Sequence, residues 1–391
     1  MDGLTTDAAQ ASASVATDGA SRSQEKGGRI FFADHLRVAL TGLVVIHHLT
    51  FVFALFGLLA GTVPTIVATF ILLIDQAFFM GAFFLIAGYF TPSSYDRKGL
   101  RSFLGSRLVR LLLPLIVYYL LLNPVSAVLL SIGFHTYGQQ PLTWSSYLAM
   151  TGAGPLWFLE VLFVLGCGYA ALRLLRRGST PGPRMHPAAP PSVLAIVLFT
   201  LILAGVTFAF RLLVPVGAAF PVVDLPTPAY LPQYVSLFAV GIVAARRDWF
   251  RSIPDRMGWA GLAVSAVATI VLFIPALATA GKSPSFVGGL HWQAAAYALW
   301  DSTLSVGVFL GLLVIFRRWA NRAGAIWNQL SRSQYGVYVL HFPIVVALSL
   351  VLFALPLEPL LKLLLSIVIA LPLCFTVAGL VRRIPGVARV L

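Results

Sequence analysis

The strongest constraint on this chain is its recurring runs of about 20 apolar residues, the length a helix needs to cross a hydrocarbon core of about 30 Å. Ten such runs can be marked, at residues 36–58, 65–90, 108–133, 155–175, 192–214, 229–246, 258–280, 292–316, 333–355 and 360–381. Lipid offers no partners to backbone N–H and C=O groups, so a span must satisfy its own, and runs of this length do so as α-helices. The expectation is an all-α, polytopic transmembrane bundle of about ten spans. Only 10% of residues are charged, against roughly 25% in soluble domains, and the mean hydropathy is +0.90.

A net charge of +14 first suggests a nucleic-acid partner, but the placement of the cations points elsewhere. Cut at those spans, 24 of the 27 Lys and Arg residues gather on one side, and only Arg211, Lys282 and Lys362 fall on the other. The positive-inside rule then puts both termini and every basic loop in the cytoplasm, with an even number of passes through the inner (plasma) membrane. Most such arginines orient the chain and touch anionic lipid; no nucleic acid is expected. Residues 1–28 are small and polar with no apolar run, and read as a disordered cytoplasmic tail before a membrane domain over 29–391. Cys167 and Cys374 both lie within spans, which suggests packing rather than a disulfide framework or a metal site. No loop is long enough for a separate soluble domain, so any chemistry must sit among the helices. Trp157, Trp249, Trp292 and Trp319 fall at expected interfaces, where an aromatic belt accounts for them.

Ionisable residues within spans are costly, about 2.5–3.5 kcal/mol each on insertion scales, and are functional candidates by default. Here they are His47, His48, Asp75, Glu160, Asp301 and His341. At a rise of about 1.5 Å per residue, His48, Asp75, Asp301 and His341 all fall near the bilayer midplane. Helices distant in sequence are thus expected to share one buried polar site. Within "RVALTGLVVIHH", residues 37–48, eleven steps of about 100° bring His48 to within roughly 20° of Arg37, whereas His47 lies about 80° away. A cation at one mouth and an imidazole about 16 Å deeper describe a path with a binding end and a reacting end. A histidine satisfied by a neighbouring carbonyl fits the same spacing.

This stretch resembles the first transmembrane helix of the membrane-bound acyltransferase 3 family, marked by an Arg, ten residues and a His. Further signatures follow in family order. "FFLIAGYF" is similar to the family's "FFxxSGF", "RSFLGSRLVRLLLP" to its paired arginines before a Pro, and "GPLWFLEVLF" to its "LWFL" helix start. "YVSLFAVGIVAARR" resembles the "FxxG" helix, and "LSRSQYGVYVLHFPIV" the "SYxIYLLHxP" helix. The resemblance covers about residues 29–385 and extends to the glucan-succinylating members. One departure is Ala87, where the family usually has Ser.

The resemblance implies an O-acyltransferase that moves an acyl group, usually from a cytoplasmic acyl-CoA, to a hydroxyl of a glycan, a lipid-linked sugar or a secondary metabolite. No cofactor is implied beyond acyl-CoA as donor substrate. It makes His48 the catalytic residue and Arg37 its essential partner. An imidazole with a pKa near 6.5 is the usual group to take a hydroxyl proton at neutral pH. The phosphates of CoA suit arginine forks, and Arg37, Arg107 and Arg110 sit where that donor arrives. Asp75 either orients His48, holds an acceptor hydroxyl, or shares a proton with Asp301. Glu160 suits an acceptor hydroxyl or an interfacial position. His341 is either part of the site or a cap for the carbonyls that Pro343 frees by lacking a donor. The alternative to an enzyme is a transporter or flippase of an acylated product, since midplane ionisable groups also mark substrate paths; no inverted internal repeat is visible.

Overall fold

The computed structural model describes residues 30–391 apart from 137–142, 146–151, 177–188, 219–224 and 281–283. The expected tail over 1–28, most of the proline-rich 179–191 linker and most of the 135–150 loop lie outside the described residues. Ten principal helices follow one another: α1 Phe31–Leu55, α2 Thr62–Arg107, α3 Asn123–Thr136, α4 Trp157–Leu175, α5 Val193–Arg211, α6 Leu231–Arg247, α7 Asp255–Ala268, α8 Trp292–Trp319, α9 Ala325–Phe353 and α10 Pro359–Val381. The described residues contain no β-strand. The protein is an all-α, multi-pass helix bundle.

Nine stretches among the described residues are long and apolar enough to cross a membrane, and one of them, Thr62–Thr136, has 75 residues. A straight helix of that length would extend about 110 Å. It does not run straight, because Gly99 breaks it with φ 69° and ψ 172°, a left-handed backbone that glycine adopts without a Cβ penalty. The chain reverses there. Arg107 donates to the Thr91 hydroxyl at 2.8 Å, and the Tyr95 and Phe103 rings lie 5.3 Å apart. Residues sixteen apart on a continuous helix would be separated by about 24 Å. Divided at Gly99, the nine stretches make the ten passes expected from the apolar runs.

Prolines shape the passes in a regular way. The helix widens into single π-turns at Leu108–Leu112, Tyr118–Leu122 and Thr269–Phe273, each ending two residues before a proline: Pro114, Pro124 and Pro275. A proline donates no hydrogen bond to the carbonyl four residues back, and its ring crowds that carbonyl. A wider turn relieves both problems. At Pro114 the abandoned acceptor is the Arg110 carbonyl, which takes a hydrogen bond from the Tyr335 hydroxyl of α9 instead. Other ends are capped in conventional fashion: Ser192 accepts from the Ala195 amide at 3.1 Å, and Glu358, before Pro359, accepts from Leu360 and Leu361.

Two glycine pairs set the closest helix contacts. A Cβ on Gly88 would lie 2.2 Å from the Phe238 carbonyl oxygen, and one on Gly241 would lie 2.1 Å from the Leu85 oxygen, so α2 and α6 touch backbone to backbone. Gly261 and Gly307 do the same for α7 and α8, at 2.7 and 2.4 Å from each other's carbonyl oxygens. In lipid, where association rests on packing rather than on a hydrophobic driving force, such close approach is what holds helices together. Around the first pair lies the main core, with Phe84, Tyr234, Leu237 and Trp300 fully or nearly buried. A second core joins Val45, Leu49 and Phe53 of α1 to Val345 of α9 and Cys374 of α10. Trp157 belongs to the main core rather than to an interfacial belt: it is 6% exposed and packs on Tyr234. Trp292 and Trp319 are more than half exposed.

Candidate active site

Residues 37, 41, 44 and 48 of α1 follow a 4-3-4 spacing and so share a stripe. His48 Nδ1 lies 2.9 Å from the Val44 carbonyl oxygen one turn back. A carbonyl only accepts, so this nitrogen carries the proton, and Nε2 keeps a lone pair free to act as a base. His341 of α9 obeys the same rule, with Nδ1 2.8 Å from the Tyr338 oxygen. Its Nε2 then bears the lone pair, and it faces His48 Nδ1 at 3.3 Å. The two rings meet edge to face, 4.8 Å between centroids. His48 is therefore held at one nitrogen by two acceptors, the Val44 carbonyl and the His341 ring, leaving the other nitrogen for chemistry. Pro343 frees the Val339 carbonyl, whereas His341 bonds the carbonyl of Tyr338; its role as a cap for the proline's lost bond is not what the geometry provides.

The adjacent imidazole is engaged differently. His47 stacks on Phe79 at 5.1 Å, and its Nδ1 stands 4.0 Å from Asp75 Oδ2. Neither atom has a hydrogen-bond partner although both are buried. Asp75 thus faces His47 and not His48. Nor does it share a proton with Asp301, whose carboxylate is taken by Arg211 in a pair buried on both sides. The Arg211 guanidinium lies between Tyr230 and Tyr297, 4.7 and 4.9 Å from their rings, whose hydroxyls are 2.8 Å apart. On sequence alone Arg211 counts with the side opposite the basic loops, and Asp301 falls, by helical depth, in a shared midplane site with the histidines. The correction has one physical cause: the end of α5 turns its arginine inward, an arginine cannot shed its charge, and a buried cation requires a carboxylate.

At the basic end of the bundle a cavity of about 410 Å³ opens between α1, α2, α4 and α9. Arg37 and Arg110 line it, with Phe83, Phe158 and Tyr335 as walls. Its lining includes Thr41 and Tyr338, two turns before His48 and one turn before His341. Arg37 also pairs with Asp34 at 3.7 Å and lies 5.8 Å from the Phe90 ring. Arg107 is not brought to this cavity. Its guanidinium is spent on the Thr91 hydroxyl and the Leu162 carbonyl, and its side chain packs where a Cβ on Gly166 would stand, 2.8 Å away. It ties the returning chain to α4. Glu160, in the first turn of α4, accepts from the Tyr119 hydroxyl at 3.4 Å.

Sequence reasoning passed over Tyr335 and Tyr338. The signal was present, since Tyr338 precedes His341 by three residues and so lies toward its face, and Tyr335 stands one turn before Tyr338. Thr41 was likewise visible as the polar residue between Arg37 and His48 on one stripe.

The helices and the paired imidazoles describe a multi-pass membrane protein with a buried pair of histidines and a basic cavity opening two turns before one of them. The chain belongs to the acyltransferase 3 family: the family's acyltransferase domain matches residues 30–379, which contain Arg37, His48, Arg110 and His341. It is thus a membrane acyltransferase. Among curated proteins none matches the sequence.

Proposed function

We propose that the protein is an O-acyltransferase of the inner (plasma) membrane that moves an acyl group from cytoplasmic acyl-CoA to a hydroxyl of a glycan, a lipid-linked sugar or a secondary metabolite. The observation that carries this reading is the His48 imidazole, whose Nδ1 is bound to Val44 and faced by His341, on the same helical stripe as Arg37. The acyl-CoA enters from the basic mouth, where Arg37 and Arg110 bind it on its way to His48. His48 Nε2 takes the proton of the acceptor hydroxyl as the oxygen attacks the thioester carbonyl. The carbon–sulfur bond then breaks, and the imidazolium returns its proton to the CoA thiolate. The new ester and free CoA account for all atoms without a redox partner.

His341 positions His48 rather than touching substrate. Asp75 and His47 supply the acceptor side: an oxygen placed between two unpartnered polar atoms 4.0 Å apart can hydrogen-bond to both. Glu160, beside Tyr119, suits a second hydroxyl of the same acceptor. Mass spectrometry of envelope glycans and secreted metabolites, from cells with wild type, with His48→Ala and without the protein, tests the reading. Loss of one acyl mass in both deficient strains is expected. An acylated product that is still made but trapped inside the cell would instead establish a transporter.

A further inference from the structure

The basic mouth holds two cavities, not one. Beside the 410 Å³ cavity lies a second of about 480 Å³, between the start of α9 and the end of α10. Arg332 and Arg382 line both, so they form a shared wall. The second cavity adds Arg383, with Asn328, Ser333 and Thr376 as neutral hydrogen-bonding groups. No aspartate or glutamate among the described residues lines either space. Arg382 donates to the Arg332 carbonyl, yet its Nε is buried without a partner, as are Ser331 Oγ and Gln334 Oε1 along the first cavity. Arginines that merely orient a membrane protein need only reach the headgroup layer. Here three converge on one concave space lined with uncharged donors.

The two spaces differ in character. The first is walled by aromatics and lined by Thr41 and Tyr338, on the helices that carry the two histidines; the second gathers three arginines beside Asn328, Ser333 and Thr376 and is set to one side. An acyl-CoA has the same two parts, a slender pantetheine arm ending in the thioester and a nucleotide bearing a diphosphate and a 3′-phosphate. We propose that the second cavity seats the nucleotide phosphates of the donor, on Arg332, Arg382 and Arg383, while the pantetheine arm passes the shared arginine wall into the first. This rests on the acyl-CoA reading above and adds to it a location for the charged end. Guanidinium forks suit phosphate oxygens in pairs.

The test is calorimetric titration of CoA and of 3′-dephospho-CoA into the full protein in phosphatidylcholine nanodiscs, for wild type, Arg383→Gln and Thr376→Glu. Arg383→Gln is expected to weaken CoA binding about tenfold, the scale of one charge-assisted hydrogen bond. Thr376→Glu, which places an anion in the cavity, is expected to weaken it further. Selective loss for CoA assigns the contact to the 3′-phosphate, and equal loss for both ligands assigns it to the diphosphate. Monodisperse variants that bind CoA like wild type would overturn the inference and leave the donor reading intact. A wild type that binds no CoA would remove the donor reading itself. Because a lipid headgroup presents the same phosphate chemistry, a parallel arm uses phosphatidylglycerol nanodiscs and native mass spectrometry. Retained lipid lost in Arg383→Gln, with CoA affinity unchanged, makes this a lipid site and sinks the proposal.

Discussion

Replacing Gly88 by alanine should disturb stability and catalysis together, through a single backbone contact. The new Cβ would stand 2.2 Å from the Phe238 carbonyl oxygen, where ordinary contact starts at 3.4 Å. The obstacle is backbone and cannot rotate away, so α2 and α6 must part by about 1.2 Å, an overpacking that costs roughly 1–3 kcal/mol. A helical Gly→Ala change recovers up to about 1 kcal/mol of helix propensity, which offsets part of that loss. Gly168 on α4 is the natural control, because a Cβ there meets nothing within 4 Å, and Gly168→Ala should be neutral or slightly stabilising. The same shift moves Phe83 and Phe90, which line the 410 Å³ cavity proposed for the donor, and a displacement of about 1 Å can cost a hundredfold in rate. Thermal unfolding in detergent, followed by tryptophan fluorescence, measures the first effect, and turnover of acyl-CoA measures the second. If Gly88→Ala melts with Gly168→Ala and turns over normally, the backbone contact between α2 and α6 is not what holds this site in shape.

Three further outcomes are expected. His48→Ala should lower transfer by about 10²–10⁴-fold with the protein still folded, and His47→Ala should do less and act mainly through acceptor KM; a larger kcat loss at His47 in initial-rate assays would reverse the two roles. Arg37→Lys and Arg110→Lys should raise KM for acyl-CoA, whereas Arg107→Lys should lower the melting temperature and leave donor KM unchanged, because its guanidinium is bound to Thr91 and Leu162. Asp301→Asn should destabilise by about 3–5 kcal/mol by stranding a buried cation; the double replacement Arg211→Met with Asp301→Leu should regain most of that in the same melting assay, and its failure to do so would give the pair a role beyond mutual neutralisation.

How much of this was legible beforehand depended on the kind of information. The passes could be read because lipid imposes a length, and the Arg37–Thr41–His48 stripe because helical phase is arithmetic within one element. The reversal at Gly99 lay in plain sight, as a glycine inside a charged stretch between two apolar runs. Phase on one helix does not say which neighbour faces it, however. One of the readings open to Asp75 set it beside His48; it stands beside His47 instead, and only the crossing of α1 with α2 decides that. Trp157 looked interfacial because it begins a span, but α4 enters against Phe84 and Tyr234. The pairing of Arg211 with Asp301 joins positions 90 residues apart, and no periodicity carries such a relation.

That pairing bears on how the protein is made. In the span formed by α5, 17% of the most apolar window is buried within the bundle, against 61% for α8, so α5 is fastened chiefly along the one face that meets α8. Arg211 reaches its counter-ion only after another 90 residues have been synthesised. A chain halted before α8 therefore leaves α5 beside the bundle with an uncompensated cation, which costs several kcal/mol in lipid. Arrival of Asp301 converts that liability into a latch that gathers α5 home. An unfinished molecule thus carries a bare guanidinium at the end of α5, concealed only once α8 has packed beside it.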